Sequence, residues 1–282
     1  MSTSSPVPEV PPHYGAAHMV SPAVASLGDQ VRGECGFHIV WDWNGTLKND
    51  LDDLVDAMNA TLAALGEGIH LSRQQYLELH CVPIPDFYAR VLGRELTAGQ
   101  WATAEAEFAR FLAVREPRLR EGAHAVLARL HEQDSASQSV LSLLPHPQLV
   151  SEARQLGVEP LFARIEGRTT AHGVKTQALC SHLVALSWPR DKYHRVLLIG
   201  DTLDDAVAAR AVGASAVLVT GGLESVSSLQ QAGVPVAGSL REAVAVGLNA
   251  LAARGASGSE GDGRSPGASP AAPPHRGGAA RT

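Results

Sequence analysis

Asp42, Ser142, Lys175 and the trio Asp201, Asp204 and Asp205 are the residues of this chain whose types could do chemistry together. Clustered carboxylates suit a hard cation with oxygen ligands, and Mg²⁺ is the usual choice where a phosphate is also bound. A lysine and a hydroxyl suit the remaining phosphate oxygens. An aspartate at the centre of such a group can act as a nucleophile and carry a phosphoryl group covalently.

The elements that must position these residues are legible. Asp42 ends the apolar run "FHIVWD", Ser142 lies in "SQSVLSLL", and Asp201 ends "RVLLIGD". A fourth run, "SAVLVT", ends at Thr220, and "FARIEG" at 162–167 is a weaker candidate strand. Helical patterns lie between them: "GAHAVLARLHEQ", "HPQLVSEARQLG", "VKTQALCSHLVALS" and "LDDAVAARAVG". Strands alternating with helices predict an α/β fold, a Rossmann-like parallel sheet with helices on both faces. Parallel strands put their carboxyl ends on one edge, so groups far apart in sequence converge there.

Residues 50–117 break the alternation and read as helix after helix. The reading is an all-helical cap inserted after the first strand and placed above the strand ends, as a lid. The core is then 35–49 plus 118–253. Residues 1–34 and 254–282 are rich in Pro, Ser, Ala and Gly and are expected to be a disordered arm and tail. The Asn44–Gly45 pair after an apolar run is also a hairpin signal. It yields to context, because a helix and not a strand follows Thr46.

The motifs resemble those of the haloacid dehalogenase-like phosphohydrolases. "DWNGTL" is similar to their Asp-x-Asp-Gly-Thr-Leu, "VLSLLP" to an apolar strand closed by Ser or Thr, "GVKTQAL" to a helix-start lysine, and "LLIGDTLDDAVAARAVGA" to Gly-Asp-Thr-x-x-Asp. The resemblance covers about residues 36–250, and the helical insertion looks like the cap of phosphoglycolate phosphatase-like members. It implies that Asp42 attacks phosphorus in a small phosphorylated substrate. It implies that Asp42, the Asn44 carbonyl and Asp201 hold Mg²⁺, with Asp205 supporting the metal shell. It further implies that Ser142, Lys175 and the N–H groups after Asp42, Thr46 among them, bind the phosphoryl group. The departure is Asn44, where the family's phosphatases carry an aspartate as general acid and base. An amide cannot do that work. Two alternatives follow: a phosphate-ligand binding or regulatory protein that has lost turnover, and another hydrolase of the superfamily, such as a dehalogenase.

Composition narrows the field further. The 282 residues carry a net charge of −6 with no basic stripe, which argues against nucleic-acid binding. No apolar run approaches a membrane span or a signal peptide. Cys35, Cys81 and Cys180 are few, odd in number and widely spaced, so a reducing cytoplasm is the expected compartment. The run Asn49, Asp50, Asp52, Asp53 and Asp56 is acidic enough for a second metal, but these residues are expected instead to cap a helix and complement its dipole. Arg90 is a candidate to reach an anionic substrate from the cap, its alternative being a solvated helix arginine. His172 is a candidate substitute base, its alternative being a surface loop residue. Trp41 and Trp43 are expected to pack.

Overall fold

Short, nearly continuous apolar runs build the centre of the molecule. The computed structural model describes residues 36–133, 136–169 and 174–258. Strand β1 is Phe37–Trp41, β2 Ala136–Pro145, β3 Arg164–Arg168, β4 Val196–Gly200, β5 Ser215–Val219 and β6 Val236–Ala237. They form one parallel sheet in the order β3-β2-β1-β4-β5-β6. Successive side chains point to opposite faces. Ile39, Trp41, Leu197, Ile199, Val217 and Val219 fill one core cluster. Val40, Val196, Leu198, Ala216 and Leu218 fill the other. Being buried on both faces is why these strands read as continuous apolar runs.

Helices cover each face. Helices α5 (Ala123–His131), α6 (His146–Gln155) and α10 (Leu240–Gly258) lie on the first. Helices α7 (Lys175–Ala185), α8 (Leu203–Val212) and α9 (Val226–Gln230) lie on the second. The chain leaves β1 toward β2 and β3, then returns to the other side of β1 as β4. The reversal makes the carboxyl ends of β1 and β4 a topological switch point, where open α/β sheets bind ligands.

Helices α1 (Leu51–Ala64), α2 (Arg73–Leu79), α3 (Ile84–Leu92) and α4 (Ala98–Leu112) come between β1 and α5. They have their own apolar cluster, built on Leu54, Met58, Leu62, Tyr76, Phe87 and Tyr88. Leu223 of the core packs against it. The chain enters and leaves this unit side by side: Asn49 N–H donates to Arg118 O at 2.8 Å, and Arg120 N–H to Leu47 O at 2.9 Å.

Several boundaries differ from the sequence reading. Strand β2 continues past Ser142 to Pro145, and β6, only two residues long, carries no readable pattern. Helix α10 runs to Gly258, five residues into the stretch read as tail. Once a helix is nucleated, each further residue adds a hydrogen bond at little extra cost, so the helix can run on past its apolar part. The arm at 1–34, Cys35, His172 and residues 259–282 lie outside the described residues. Among the described residues, no helix is long and apolar enough to cross a membrane.

A polar chain also threads the second face. His38 Nδ1 lies 2.6 Å from Ser137 Oγ, and His38 Nε2 lies 2.8 Å from Ser139 Oγ. That hydroxyl is 2.7 Å from His182 Nε2, whose Nδ1 is 3.0 Å from Glu166 Oε2. Ser139 is therefore fully engaged inside the core.

Candidate active site

The structure brings Asp42, Asp201, Asp205 and Lys175 together at the switch point. Asp42 follows β1, and its N–H donates to Ile199 O of β4 at 2.9 Å. Asp201 follows β4, Asp205 lies in the first turn of α8, and Lys175 opens α7. The three carboxylates are buried and offer oxygens within 4.8 Å of one another. The Lys175 ammonium donates to Asp42 Oδ1 and stands 2.6 Å from Asp205 Oδ1.

Each carboxylate is held by named donors. Thr46 Oγ1 donates to Asp201 Oδ1 at 2.6 Å and lies 3.3 Å from Asp42 Oδ2. Leu223 N–H donates to Asp201 Oδ2 at 2.6 Å. Asp205 does two jobs: its Oδ2 accepts from Thr202 N–H at 3.1 Å and Thr202 Oγ1 at 2.7 Å, while its other oxygen faces Lys175. Asp204 has no such place, so Asp205 is the member of that pair that joins the cluster. Two glycines let backbone approach these groups. At Gly45, with φ +69°, a Cβ would lie 2.2 Å from Asp201 Oδ2, and a Cβ on Gly222 would lie equally close to the same oxygen.

The electrostatics follow from burial of like charges. Burial lifts the Asp42 carboxyl to about 6, with Asp205 adding to the rise and Lys175 opposing it. Burial, then the charges of Asp42 and Asp205, push Asp201 well above the ordinary carboxylate range. For Lys175, burial acts to lower the pKa, but the charges of Asp205 and Asp42 more than offset it. The lysine therefore stays charged and contacts Asp42 and Asp205, while the raised pKa values of Asp42 and Asp201 mark carboxyls whose ionisation burial and like charge oppose. A cluster of oxygen donors in which a cation would relieve that opposition has the chemistry of a hard-cation site.

Ser142 is buried at the same sheet edge: β2 pairs Val140 with Trp41, which sets Ser142 beside the step after Asp42. Its Oγ accepts from Leu144 N–H at 3.1 Å. Arg90 lies exposed on α3, outside this cluster. Trp41 and Trp43 are fully buried; their indole N–H groups donate to Gln138 and Glu152 at 3.1 and 2.8 Å.

Asn44 is turned to a different partner. Its Nδ2 donates to Asp50 Oδ2 at 2.5 Å, and Gly45 N–H donates to Asp50 Oδ1 at 2.9 Å. Asp50 therefore does not cap α1 with its side chain, contrary to the sequence reading; its oxygens are taken by the preceding loop. Asp52 and Asp53 do lie in the first turn of α1, as expected, and each also pairs with an arginine: Asp52 with Arg73 at 3.0 Å and Asp53 with Arg118 at 3.2 Å.

Sequence reasoning missed two further contributors. Arg120 donates through Nη1 to Gly45 O at 2.9 Å and through Nη2 to Thr220 O at 2.5 Å. It thus staples the loop after β1 to the loop after β5. Tyr76 of α2 is buried within electrostatic reach of Asp50 and Asp201, and burial first, then those charges, raises its phenol pKa. No local pattern marks either residue, because both act across long sequence separations.

Comparison with known proteins agrees with this architecture. Residues 175–243, which include Lys175, Asp201 and Asp205, match the family model described as HAD-hydrolase-like. No curated protein matches the chain. Among solved structures, a haloacid dehalogenase-like family hydrolase from Streptococcus pneumoniae has a TM-score of 0.64 and 19% identity, covering 74% of this chain and 97% of its own. A predicted phosphoglycolate phosphatase from Haemophilus somnus has a TM-score of 0.60 and 19% identity, covering 72% and 93%. A CbbY variant from Rhodobacter sphaeroides, in complex with xylulose-(1,5)bisphosphate, has a TM-score of 0.56 and 22% identity, covering 73% and 98%. The chain is thus similar to these proteins in fold over about three quarters of its length, and to the family model in sequence over residues 175–243.

Proposed function

We propose that the protein hydrolyses a small phosphomonoester with Mg²⁺, through an aspartyl-phosphate on Asp42. The observation that carries this reading is the meeting of three buried carboxylates and one buried ammonium at the switch point of the sheet. The donor set fits Mg²⁺, being all oxygen with no sulfur or imidazole. Asp42, the backbone carbonyl of Asn44 and Asp201 would hold the ion, with Asp205 in support. When bound, Mg²⁺ would neutralise charge on the phosphoryl oxygens and keep the Asp42 carboxylate ionised.

The chain's own residues do the rest. The Asp42 carboxylate attacks phosphorus, the ester oxygen leaves, and water then hydrolyses the acyl phosphate. Lys175 offers a fixed positive charge to the phosphoryl oxygens, and the Ser142 hydroxyl and the N–H groups around Thr46 offer hydrogen bonds. The helical unit over 51–112 acts as a cap, excluding water and selecting the substrate, with Arg90 as a candidate contact to a second anionic group. The bisphosphate bound by the CbbY variant supports a small phosphorylated substrate. Asn44 is an amide, so it can hydrogen-bond to the leaving oxygen but cannot protonate it.

The test is a phosphomonoester panel with Mg²⁺, run on wild type and Asp42→Asn, with intact-mass detection of a phosphorylated enzyme. Turnover that stops in Asp42→Asn and in excess EDTA is the expected result. Phosphate binding without turnover on any ester would favour the binding-protein reading instead.

A further inference from the structure

The Asn44–Gly45 step has a neighbour that the proposed hydrolysis does not use. Asp50 is 2% exposed, and its side chain makes no cap bond to α1. Its two oxygens go to two particular nitrogens: Oδ1 accepts from Gly45 N–H at 2.9 Å, and Oδ2 from Asn44 Nδ2 at 2.5 Å. Lys48 Nζ stands 3.5 Å from Asp50 Oδ2 and 3.0 Å from Glu152 Oε1, bracing the carboxylate from the other side.

Those two nitrogens are the ones that change bonding when an Asn-Gly step closes on itself. The glycine nitrogen attacks the carboxamide carbon, and the amide nitrogen leaves. A backbone N–H is a poor nucleophile until its proton is removed, and an amide nitrogen is a poor leaving group until it gains one. One carboxylate in contact with both can serve as base for the first event and acid for the second. Gly45 adds no side chain to obstruct the approach, and its packing against Asp201 leaves room for no other residue type.

We propose that Asn44 is a self-processing site, converted to aspartate with Asp50 as the catalytic group. Asp50 takes the proton from Gly45 N as that nitrogen bonds to Asn44 Cγ. The protonated carboxyl then returns the proton to Nδ2. The Cγ–Nδ2 bond breaks with its electron pair on nitrogen, and ammonia departs. A succinimide remains, and Asp50 is again a carboxylate. Solvent water opens the ring at Cγ, its hydroxyl going to carbon and its proton to Gly45 N. The N–Cγ bond breaks, and the main-chain bond, intact throughout, now follows an aspartate at position 44. Water is consumed and ammonia released, with no change of oxidation state. What that aspartate then does rests on the phosphatase reading: it would supply the proton transfer that the amide lacks.

The experiment follows the peptide containing residues 42–48 by mass spectrometry. Freshly purified full-length chain is incubated in Mg²⁺-free buffer, folded or in denaturant, beside folded Asp50→Asn and Asp50→Ala. General base catalysis predicts conversion about 10²-fold faster in the folded wild type than in denaturant, with normal aspartate as the product. Both Asp50 variants should lose that acceleration. Conversion no faster in the fold than in denaturant overturns the proposal, and so does an acceleration that survives in both variants. If the variants do not fold, the wild-type comparison decides alone. The mass change is read without substrate, so its failure is distinct from failure of the phosphatase reading, which Asp42→Asn reports.

Discussion

His80 gives a direct test of the helical unit's energetics. It follows α2, is 8% exposed, and stacks on Tyr76 with ring centroids 5.6 Å apart. Phe87 meets it edge-on at 5.3 Å, and its Nδ1 is buried without a hydrogen-bond partner. Burial, with the nearby Arg90 charge, lowers its pKa to about 4 from an unfolded value of 6.5. The folded state therefore favours the neutral ring. The stability this contributes is complete above pH 6.5 and is lost as pH falls toward 4. Integrating the linkage relation between those two pKa values gives a loss of about 2 kcal/mol by pH 5 and about 3 kcal/mol by pH 4. Substituting His80→Phe keeps the ring contacts and removes both the titration and the unpartnered nitrogen. Urea unfolding of both proteins at pH 7.5 and pH 5 isolates the effect, because the acids common to both cancel in the difference. The variant should gain about 2 kcal/mol on wild type as pH falls between those values. An unchanged difference would mean that His80 is not held neutral by its surroundings, and that the packing around it opens to water.

Other expectations follow from the site. Gly222→Ala should displace the Asp201 carboxylate from Leu223 N–H, costing about 1–3 kcal/mol of stability and most of the activity; unfolding curves and kcat read the two effects. Arg120→Lys cannot span the Gly45 and Thr220 carbonyls, so one charged hydrogen bond worth about 1.5–3 kcal/mol goes, and kcat should fall more than KM rises. Asn44→Asp should raise kcat on an alkyl phosphate by about 10²–10⁴-fold and on an aryl phosphate by much less, measured against wild type shown by peptide mass to be unconverted.

The parts legible in the sequence are those governed by local period. Strands ending at Asp42 and Asp201 announce themselves because apolar runs of five or six residues end abruptly in a carboxylate. Parallel pairing then brings the two together without further information. The helical insertion is legible for the same reason, since its 3.6-residue pattern interrupts an alternation. What was not legible depends on where a side chain points. Asp50 reads as a helix cap by position, yet its oxygens turn back to Asn44 and Gly45. Arg120 reads as an ordinary arginine, because its partners are 75 and 100 residues away.

The chain of hydrogen bonds through Ser139 has a direction, and one end sets it. Glu166 is held ionised, its pKa brought down to about 2 by the bond from His182, with Arg164 assisting against burial. A carboxylate only accepts, so His182 Nδ1 must carry the proton and its Nε2 must be the acceptor. The single Ser139 hydroxyl proton is then committed to His182. His38 Nε2 must in turn donate to the serine oxygen, and His38 Nδ1 accepts from Ser137. Both imidazoles are thus opposite tautomers of one another, written into the sheet by an acid on its edge strand. A second proton on His182 would turn Nε2 from acceptor to donor, and keeping the chain bonded would then require the Ser139 proton to turn toward His38 and His38 to change tautomer. Burial, which lowers the His182 pKa, opposes that step, so the proton order set by Glu166 is the one the sheet keeps.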